Sequence, residues 1–183
     1  MNSSLIVMGI ALSNPALTPL ASPHRLEEVL PLKNLKREQI SLLIEKSRYR
    51  LTLKYKGKPV KTYSVVFGCS PIGDKRYEGD CRTPEGVFHI LERRKHAKWT
   101  YFLLLDYPNA ISWRRFYERK RRGELTDKST VGSAIGIHGV PVGYDKAVDT
   151  KSNWTLGCIS LKTEDIREIY RVTQKGTRVG IVR

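Results

Sequence analysis

Residues 135–170 read IGIHGVPVGYDKAVDTKSNWTLGCISLKTEDIREIY and hold two reactive side chains, His138 and Cys158, each beside a glycine. A thiol attacks as its thiolate, and a neighbouring imidazole is the usual group that removes the thiol proton near neutral pH. Because twenty residues separate the pair, one helical face cannot hold both, and the fold must bring them together. The segment therefore predicts a Cys–His acyl-transfer site.

The same segment predicts a strand, a loop, a second strand and a helix, in that order. Residues 134–138 and 154–161 form the predicted strands, and 140–153 form the polar loop between them. Thr163 is expected to cap a helix over 164–172, because its hydroxyl can accept a free amide and acidic residues follow in the first turn. Each reactive side chain is thus carried by a predicted strand.

Strand patterns also dominate the rest of the chain. The predicted strands outside the segment are 40–44, 48–55, 60–67, 87–91, 99–106 and 178–182, and the first three form an antiparallel meander. Residues 110–122 predict a helix with Ile111, Phe116 and Tyr117 on one face, the arginines outward and Gly123 at its end. The fold class expected is α+β, mainly β.

A long loop rich in glycine and proline, GCSPIGDKRYEGDCRTPEG, spans residues 68–86. Loops of this length without secondary structure are commonly functional. Lys75 and Arg82 lie in it and either hold a substrate carboxylate or are solvated turn residues.

The three cysteines allow two arrangements. In an exported protein, a disulfide between Cys69 and Cys81 would leave Cys158 free and reactive. The alternative is three reduced thiols. Both arrangements remain open at the level of sequence.

The composition bounds the classes of partner. The 33 Lys and Arg residues against 18 Asp and Glu give a net charge of +15, which favours polyanions such as nucleic acid, anionic lipid or an acidic wall polymer. Because no nucleic-acid motif accompanies the charge, nucleic acid is not the expected partner. The four histidines lack a zinc pattern, and neither a metal nor another cofactor is expected. The apolar run 5–12 is too short for a stable membrane span.

Four separated elements resemble the L,D-transpeptidase catalytic domain (YkuD type). The first is the early hairpin, and the second is a loop element with Gly-Asp at 79–80 and Thr-Pro-Glu-Gly at 83–86. The third is His-Gly at 138–139, and the fourth is Thr-Leu-Gly-Cys at 155–158, followed by a helix. The resemblance covers about 38–183 and implies a mixed β-sheet sandwich with a few short helices. We accordingly expect a catalytic domain at 38–183, a linker at 25–37, and a leader or imperfect signal segment at 1–24.

The resemblance implies a reaction on peptidoglycan stem peptides. Cys158 would attack the carbonyl of the third residue and release the terminal D-alanine. The thioester would then pass to an amine, which forms a 3→3 cross-link or attaches a wall-anchored protein, or it would pass to water. His138 would move the protons, the Gly139 carbonyl would orient its ring, and the amides of Gly157 and Cys158 would hold the oxyanion. The implied location is the bacterial cell envelope, periplasmic or otherwise extracytoplasmic.

The chain departs from the commonest signature of the family at two positions. Leu156 stands where that signature has His, and Ser160 stands where it has Arg two residues after the cysteine. A substrate carboxylate must then be held by another cation. The predicted substrate-binding residues are Lys75, Arg82, Trp154 and Thr155.

Several functions remain open beside the transpeptidase. The same scaffold can be a hydrolase of the same kind of bond, and a wall-binding module with an idle Cys158 belongs to a different class. A lone cysteine is commonly a small buried apolar residue and a lone histidine a structural one. A nucleic-acid binder would show steep salt dependence. A papain-like protease fits poorly, because its cysteine precedes its histidine in the chain.

Overall fold

A computed structural model describes residues 25–183 as an eight-stranded sheet with short helices. The leader or signal segment predicted at 1–24 lies outside the described residues. The strands are β1 Ile40–Glu45, β2 Arg50–Tyr55, β3 Lys58–Ser64, β4 Gly86–His96, β5 Thr100–Leu105, β6 Gly136–Gly139, β7 Ile159–Leu161 and β8 Arg178–Val182. The α-helices are α1 Leu26–Val29, α2 Ala110–Arg121, α3 Lys146–Asp149 and α4 Thr163–Val172, and 3₁₀ turns lie at Leu32–Asn34, Arg37–Gln39 and Lys46–Arg48.

The sheet is continuous and mixed, with the strand order β3-β2-β1-β8-β4-β5-β6-β7. Its parallel pairs are β1 with β8 and β6 with β7, and the other neighbours are antiparallel. The prediction of an α+β, mainly β fold with a mixed sheet and a few short helices is therefore confirmed. The predicted meander is present as β1, β2 and β3.

The core lies where alternating apolar side chains of the strands meet the buried face of α4. In β2, Leu51 and Leu53 are fully buried, as the alternating pattern predicts. In α4, Ile166, Ile169 and Val172 are fully buried, at the spacing of one helical face. Because burying such a side chain is worth about 1.5–3 kcal/mol, this face fixes α4 against the sheet. The helix contacts β5 and β6, which lie beside the reactive residues.

The segment 140–172 differs from its prediction at three places. The predicted polar loop contains α3, and the predicted strand 154–161 is shortened to β7. Thr163 is the first residue of α4 rather than its cap, because Asp145 Oδ1 accepts the Thr163 amide at 2.9 Å. The Asp145 carboxylate, rather than the Thr163 hydroxyl, therefore accepts an amide at the start of α4.

The prediction for α2 was wrong about which side chains face inward. Phe116 is buried, but Ile111 and Tyr117 are 44% and 59% exposed. Arg115 and Arg119 instead reach Asp74 of the 68–86 loop, at 3.3 and 2.9 Å. The Asp74 carboxylate attracts both guanidinium groups, and these ion pairs hold the loop against α2.

The segment predicted as a linker packs on the domain. Leu26 and Leu30 are buried in the main core cluster, and the Leu26 amide donates to Glu168 Oε1 at 3.1 Å. Residues from 25 onward therefore contribute to the same folded unit as the sheet.

Candidate active site

One cavity of about 510 Å³ brings most of the predicted site residues together. Its lining residues are Lys75, Glu78, Gly79, Trp99, Gly132, Ser133, Ala134, Ile135, His138, Trp154, Thr155, Leu156 and Cys158. Both reactive side chains and three of the four predicted substrate contacts are in this set. The distant sequence positions meet because β6 and β7 lie side by side.

The pairing of β6 with β7 aligns His138 with Cys158. The strands are parallel, and His138 lies opposite Ser160. Cys158 immediately precedes β7, and it lines the same cavity as His138. Ser160 is fully buried, and within the described residues its Oγ has no hydrogen-bond partner.

The His138 ring is held in one tautomer by the backbone of its neighbour. The side chain is 1% exposed, and its Nδ1 lies 2.8 Å from the Gly139 carbonyl oxygen. Because a carbonyl can only accept, Nδ1 carries the proton and Nε2 is left as the basic nitrogen. Burial lowers the pKa of His138 to about 4, although the Gly139 contact acts in the opposite direction. The imidazole is therefore neutral near pH 7.

Close packing explains why a glycine follows the histidine. The Gly139 amide donates to the Trp99 carbonyl at 3.2 Å. A Cβ at Gly139 would lie 2.7 Å from that carbonyl oxygen and 2.9 Å from Ile166 Cγ2. Any larger residue would push β6 away from the corner that carries Trp99.

The turn before Cys158 is closed by Thr155. Its hydroxyl donates to the Cys158 carbonyl at 2.7 Å and accepts the Gly157 amide at 3.2 Å. Gly157 has φ +140°, and a Cβ there would lie 2.8 Å from the Arg82 carbonyl oxygen. Thr155 thus shapes the turn as well as the cavity. The Gly157 amide, predicted as an oxyanion donor, is already engaged, which leaves the Cys158 amide as the predicted donor.

The Cys158 thiol is half-buried and uncharged at rest. Its Sγ lies 3.6 Å from the Ala134 carbonyl oxygen. Burial raises the pKa of the Cys158 thiol, while a hydrogen bond from the Gly136 backbone and the charge of Lys75 act in the opposite direction. With His138 also neutral, the site holds an uncharged thiol and an uncharged imidazole.

A disulfide secures the loop beside this turn. Cys69 and Cys81 are joined, with a Cα–Cα distance of 5.2 Å, and Cys158 is the free cysteine. The Cys69 amide donates to the Thr155 carbonyl at 2.9 Å. Of the two arrangements left open by the sequence, the structure has the disulfide, directly against the turn that carries the candidate nucleophile.

The two predicted cations take different positions. Lys75 lines the cavity, and its Nζ lies 2.8 Å from Asp80 Oδ1 in a buried ion pair. The Arg82 guanidinium packs against Gly73, where an added Cβ would lie 3.2 Å from Nη1. Among the described residues that line the cavity, Lys75 is the sole lysine or arginine. The structure therefore does not bring the Arg82 side chain to the site, because the loop turns it the other way.

Sequence reasoning missed Trp99, which lies directly on the candidate base. Its ring stacks on His138 with a centroid separation of 4.2 Å and an interplanar angle of 21°. A tryptophan at the start of a predicted strand gives no signal that separates this role from ordinary core packing. Only the pairing of β5 with β6 brings the two residues together.

The chain belongs to the L,D-transpeptidase catalytic domain family (YkuD), whose family model matches residues 39–181. This match and the solved structures that share the fold confirm the resemblance seen in the sequence. A search of curated proteins found no match.

Three solved structures illustrate the likeness. A mutant of the helical cell shape determining protein Pgp2 from Campylobacter jejuni is 22% identical, with a TM-score of 0.57 over 78% of this chain and 46% of that one. A mutant L,D-transpeptidase from Enterococcus faecium is 15% identical, with a TM-score of 0.53 over 79% and 50%. L,D-transpeptidase 3 from Mycobacterium tuberculosis, with a faropenem-derived adduct, is 15% identical, with a TM-score of 0.52 over 79% and 60%.

At these identities the likeness shows the fold alone. The chain spans about half the length of the first of these structures. Within residues 25–183, no helix is both long enough and apolar enough to cross a membrane.

Proposed function

We propose that this protein is a cysteine-dependent L,D-transpeptidase that acts on peptidoglycan stem peptides. The observation that carries the proposal is the meeting of Cys158 with a neutral His138 in one cavity, with His138 Nε2 left as the proton acceptor. Membership of the catalytic-domain family supports the same chemistry.

The first half-reaction forms a thioester. Cys158 Sγ attacks the carbonyl carbon of the third stem residue while its proton passes to His138 Nε2. The Cys158 amide donates to the resulting oxyanion. The C–N bond to the terminal D-alanine then breaks, and His138 returns the proton to the departing amine. The products are an acyl-Cys158 thioester and free D-alanine.

The second half-reaction releases the acyl group to an acceptor amine. The amine attacks the thioester carbonyl, and His138 takes the amine proton. The C–S bond breaks and the sulfur recovers its proton from His138, which leaves a new amide bond. The acceptor is the side-chain amine of a neighbouring stem or of a wall-anchored protein.

Lys75 is the proposed contact for the substrate carboxylate. It is the sole cation among the described lining residues. The Arg82 side chain does not line the cavity, and Ser160 carries no charge, so neither residue supplies a cation there. Trp154 and Thr155 shape the walls of the same cavity.

The proposed location is extracytoplasmic, in the bacterial cell envelope. The Cys69–Cys81 disulfide supports it, because disulfides persist in oxidising compartments.

A second candidate is hydrolysis of the same thioester by water. The buried Ser160, at the position where the commonest signature of the family has Arg, favours it, because a short buried side chain cannot hold an acceptor by charge. The deciding experiment is incubation with a tetrapeptide stem, with and without an acceptor amine, followed by mass spectrometry. A cross-linked product establishes transfer, a tripeptide alone establishes hydrolysis, and an unchanged tetrapeptide contradicts both.

A further inference from the structure

The rings of His96, Trp99 and His138 form an aromatic column, in which Trp99 contacts both histidines. His96 stacks on one face of Trp99, with centroids 4.3 Å apart and an interplanar angle of 13°. Trp99 also stacks on His138, at 4.2 Å and 21°. Phe102 lies nearly parallel to His138, with centroids 5.8 Å apart. The imidazole is therefore confined by aromatic surface rather than by charged side chains.

Trp99 holds His138 through its backbone as well as its ring. The Trp99 carbonyl accepts the Gly139 amide at 3.2 Å, and it is also the atom that an added Cβ at Gly139 would strike. Trp99 thus packs on the imidazole ring and also holds the amide of Gly139, the residue whose carbonyl accepts from His138 Nδ1.

We infer that Trp99 is a positioning residue for proton transfer, which holds the His138 imidazole in the orientation that presents Nε2 to Cys158. This inference rests on the proposed function. The χ2 torsion of histidine is broad, so the bond from Nδ1 to Gly139 restrains one edge of the ring and leaves its plane to be set by packing.

His96 restrains Trp99 by stacking on its ring. Its Nδ1 accepts the amides of Lys98 and Trp99 at 3.2 and 3.3 Å, so that nitrogen carries no proton. The ring of His96 is thereby tied to the turn that carries Trp99, and the column is fixed at both ends.

Few other ionisable groups lie against the column among the described residues. Arg94 lies over the Phe102 ring, 5.1 Å from its centroid. Lys75, Glu78 and Cys158 share the cavity with His138 and Trp99. The rings that pack on the imidazole are those of Trp99, Phe102 and Trp154, and removal of the indole would admit water to it.

The test is the pH dependence of Cys158 alkylation by iodoacetamide in wild type, Trp99→Leu and Trp99→Phe. At about pH 7 the thiol depends on His138, and we expect Trp99→Leu to react roughly tenfold or more slowly than wild type. At about pH 10 hydroxide forms the thiolate directly, and we expect the two rates to agree within about threefold. Trp99→Phe keeps an aromatic face and should recover most of the rate at neutral pH.

Two controls accompany these variants. Trp113→Leu makes the same change on the exposed surface of α2 and should match wild type at every pH. His96→Ala leaves Trp99 in place but removes the imidazole that stacks on its ring, and should slow alkylation at neutral pH in the same direction as Trp99→Leu. This variant keeps the inference testable if Trp99→Leu does not fold.

Titration of His138 by NMR gives a second readout. Because burial is the main cause of the low pKa of His138, we expect Trp99→Leu to move it upward, towards the value of a solvated histidine. A purely structural role for Trp99 would slow alkylation equally at neutral and alkaline pH and leave this titration unchanged, which would overturn the inference.

His138→Ala separates failure of the inference from failure of the proposed function. If wild type and His138→Ala react equally at neutral pH, the Cys–His mechanism itself is wrong. If wild type depends on His138 but Trp99→Leu keeps the wild-type profile, only the positioning role of Trp99 is wrong.

Discussion

His138 Nδ1 donates to the carbonyl oxygen of the adjacent residue, Gly139, at 2.8 Å. A backbone carbonyl here takes the orienting role that a carboxylate has in a Ser-His-Asp triad. It selects the tautomer but carries no full charge, so burial dominates and the pKa of His138 falls to about 4. The imidazole of this candidate base is therefore neutral throughout the neutral pH range.

The packing around Gly139 predicts a selective loss of stability. In Gly139→Ala the new methyl group would meet the Trp99 carbonyl oxygen at 2.7 Å, and overpacking of this kind typically costs about 1–3 kcal/mol. Gly180→Ala is the matched control, because the nearest atom to its Cβ lies at 3.6 Å. Urea unfolding should show a clear loss of unfolding free energy for Gly139→Ala and a small change for Gly180→Ala. Equal losses would contradict the assigned contact.

The low pKa of His138 predicts how stability depends on pH. Between pH 6.5 and about 4 the unfolded chain binds a proton at His138 that the folded protein does not. The contribution of His138 to stability therefore falls as the pH falls through this window, by about 2–3 kcal/mol at its lower end.

Asp165 acts in the opposite direction, because burial raises its pKa from 3.8 to about 6 and the folded protein binds that proton first. Comparison with His138→Asn by urea unfolding across the window removes this background. Wild type should lose more stability on acidification than the variant. Parallel pH profiles would mean that His138 is not held neutral by the fold.

The hydroxyl of Thr155 should matter more to the site than its methyl group. Thr155→Val removes the donor to the Cys158 carbonyl and the acceptor of the Gly157 amide, and a buried polar group left unpaired costs about 1–3 kcal/mol. We expect slower acylation of Cys158, measured by stopped-flow with a carbapenem, and a lower unfolding free energy. Thr155→Ser keeps the oxygen and should stay close to wild type. Wild-type acylation by Thr155→Val would count against the role given to this turn.

The ion pair of Lys75 with Asp80 sets the design of a test for substrate recognition. Because both partners are buried, Lys75→Met alone would leave an uncompensated carboxylate, so the informative variant is Lys75→Met with Asp80→Asn. We expect wild type to prefer a stem peptide with a free terminal carboxylate over its amide by roughly tenfold or more in kcat/KM. The double variant should lose that preference. If the preference persists, another group holds the carboxylate.

Local patterns predicted the parts of the fold that depend on neighbours in sequence. The alternation around Leu51 and Leu53 predicted β2, and the apolar spacing of Ile166 and Ile169 fits one face of the helix that became α4. The His-Gly and Gly-Cys pairs identified two residues of the cavity, His138 and Cys158, because the reactivity of an imidazole and of a thiol can be recognised from residue type alone.

Contacts between distant segments could not be read in the same way. Trp99 reaches His138 only through strand pairing, and Asp145 caps α4 from a loop that sequence left unstructured. The inward turn of Arg115 depends on Asp74, far away in the chain, and the guanidinium of Arg82 turns away from the cavity for reasons of loop geometry. Each of these features depends on which segments pack together, which residue types alone do not specify.

The most direct test of a Cys158 nucleophile assisted by His138 is intact-mass spectrometry after incubation with a carbapenem, an acylating agent for enzymes of this family. Wild type, Cys158→Ala and His138→Ala are compared under the same conditions. We expect one covalent adduct on wild type, none on Cys158→Ala, and formation on His138→Ala slowed by about a hundredfold or more at neutral pH. Absence of an adduct on wild type, or an equal adduct on Cys158→Ala, would contradict a Cys158 nucleophile.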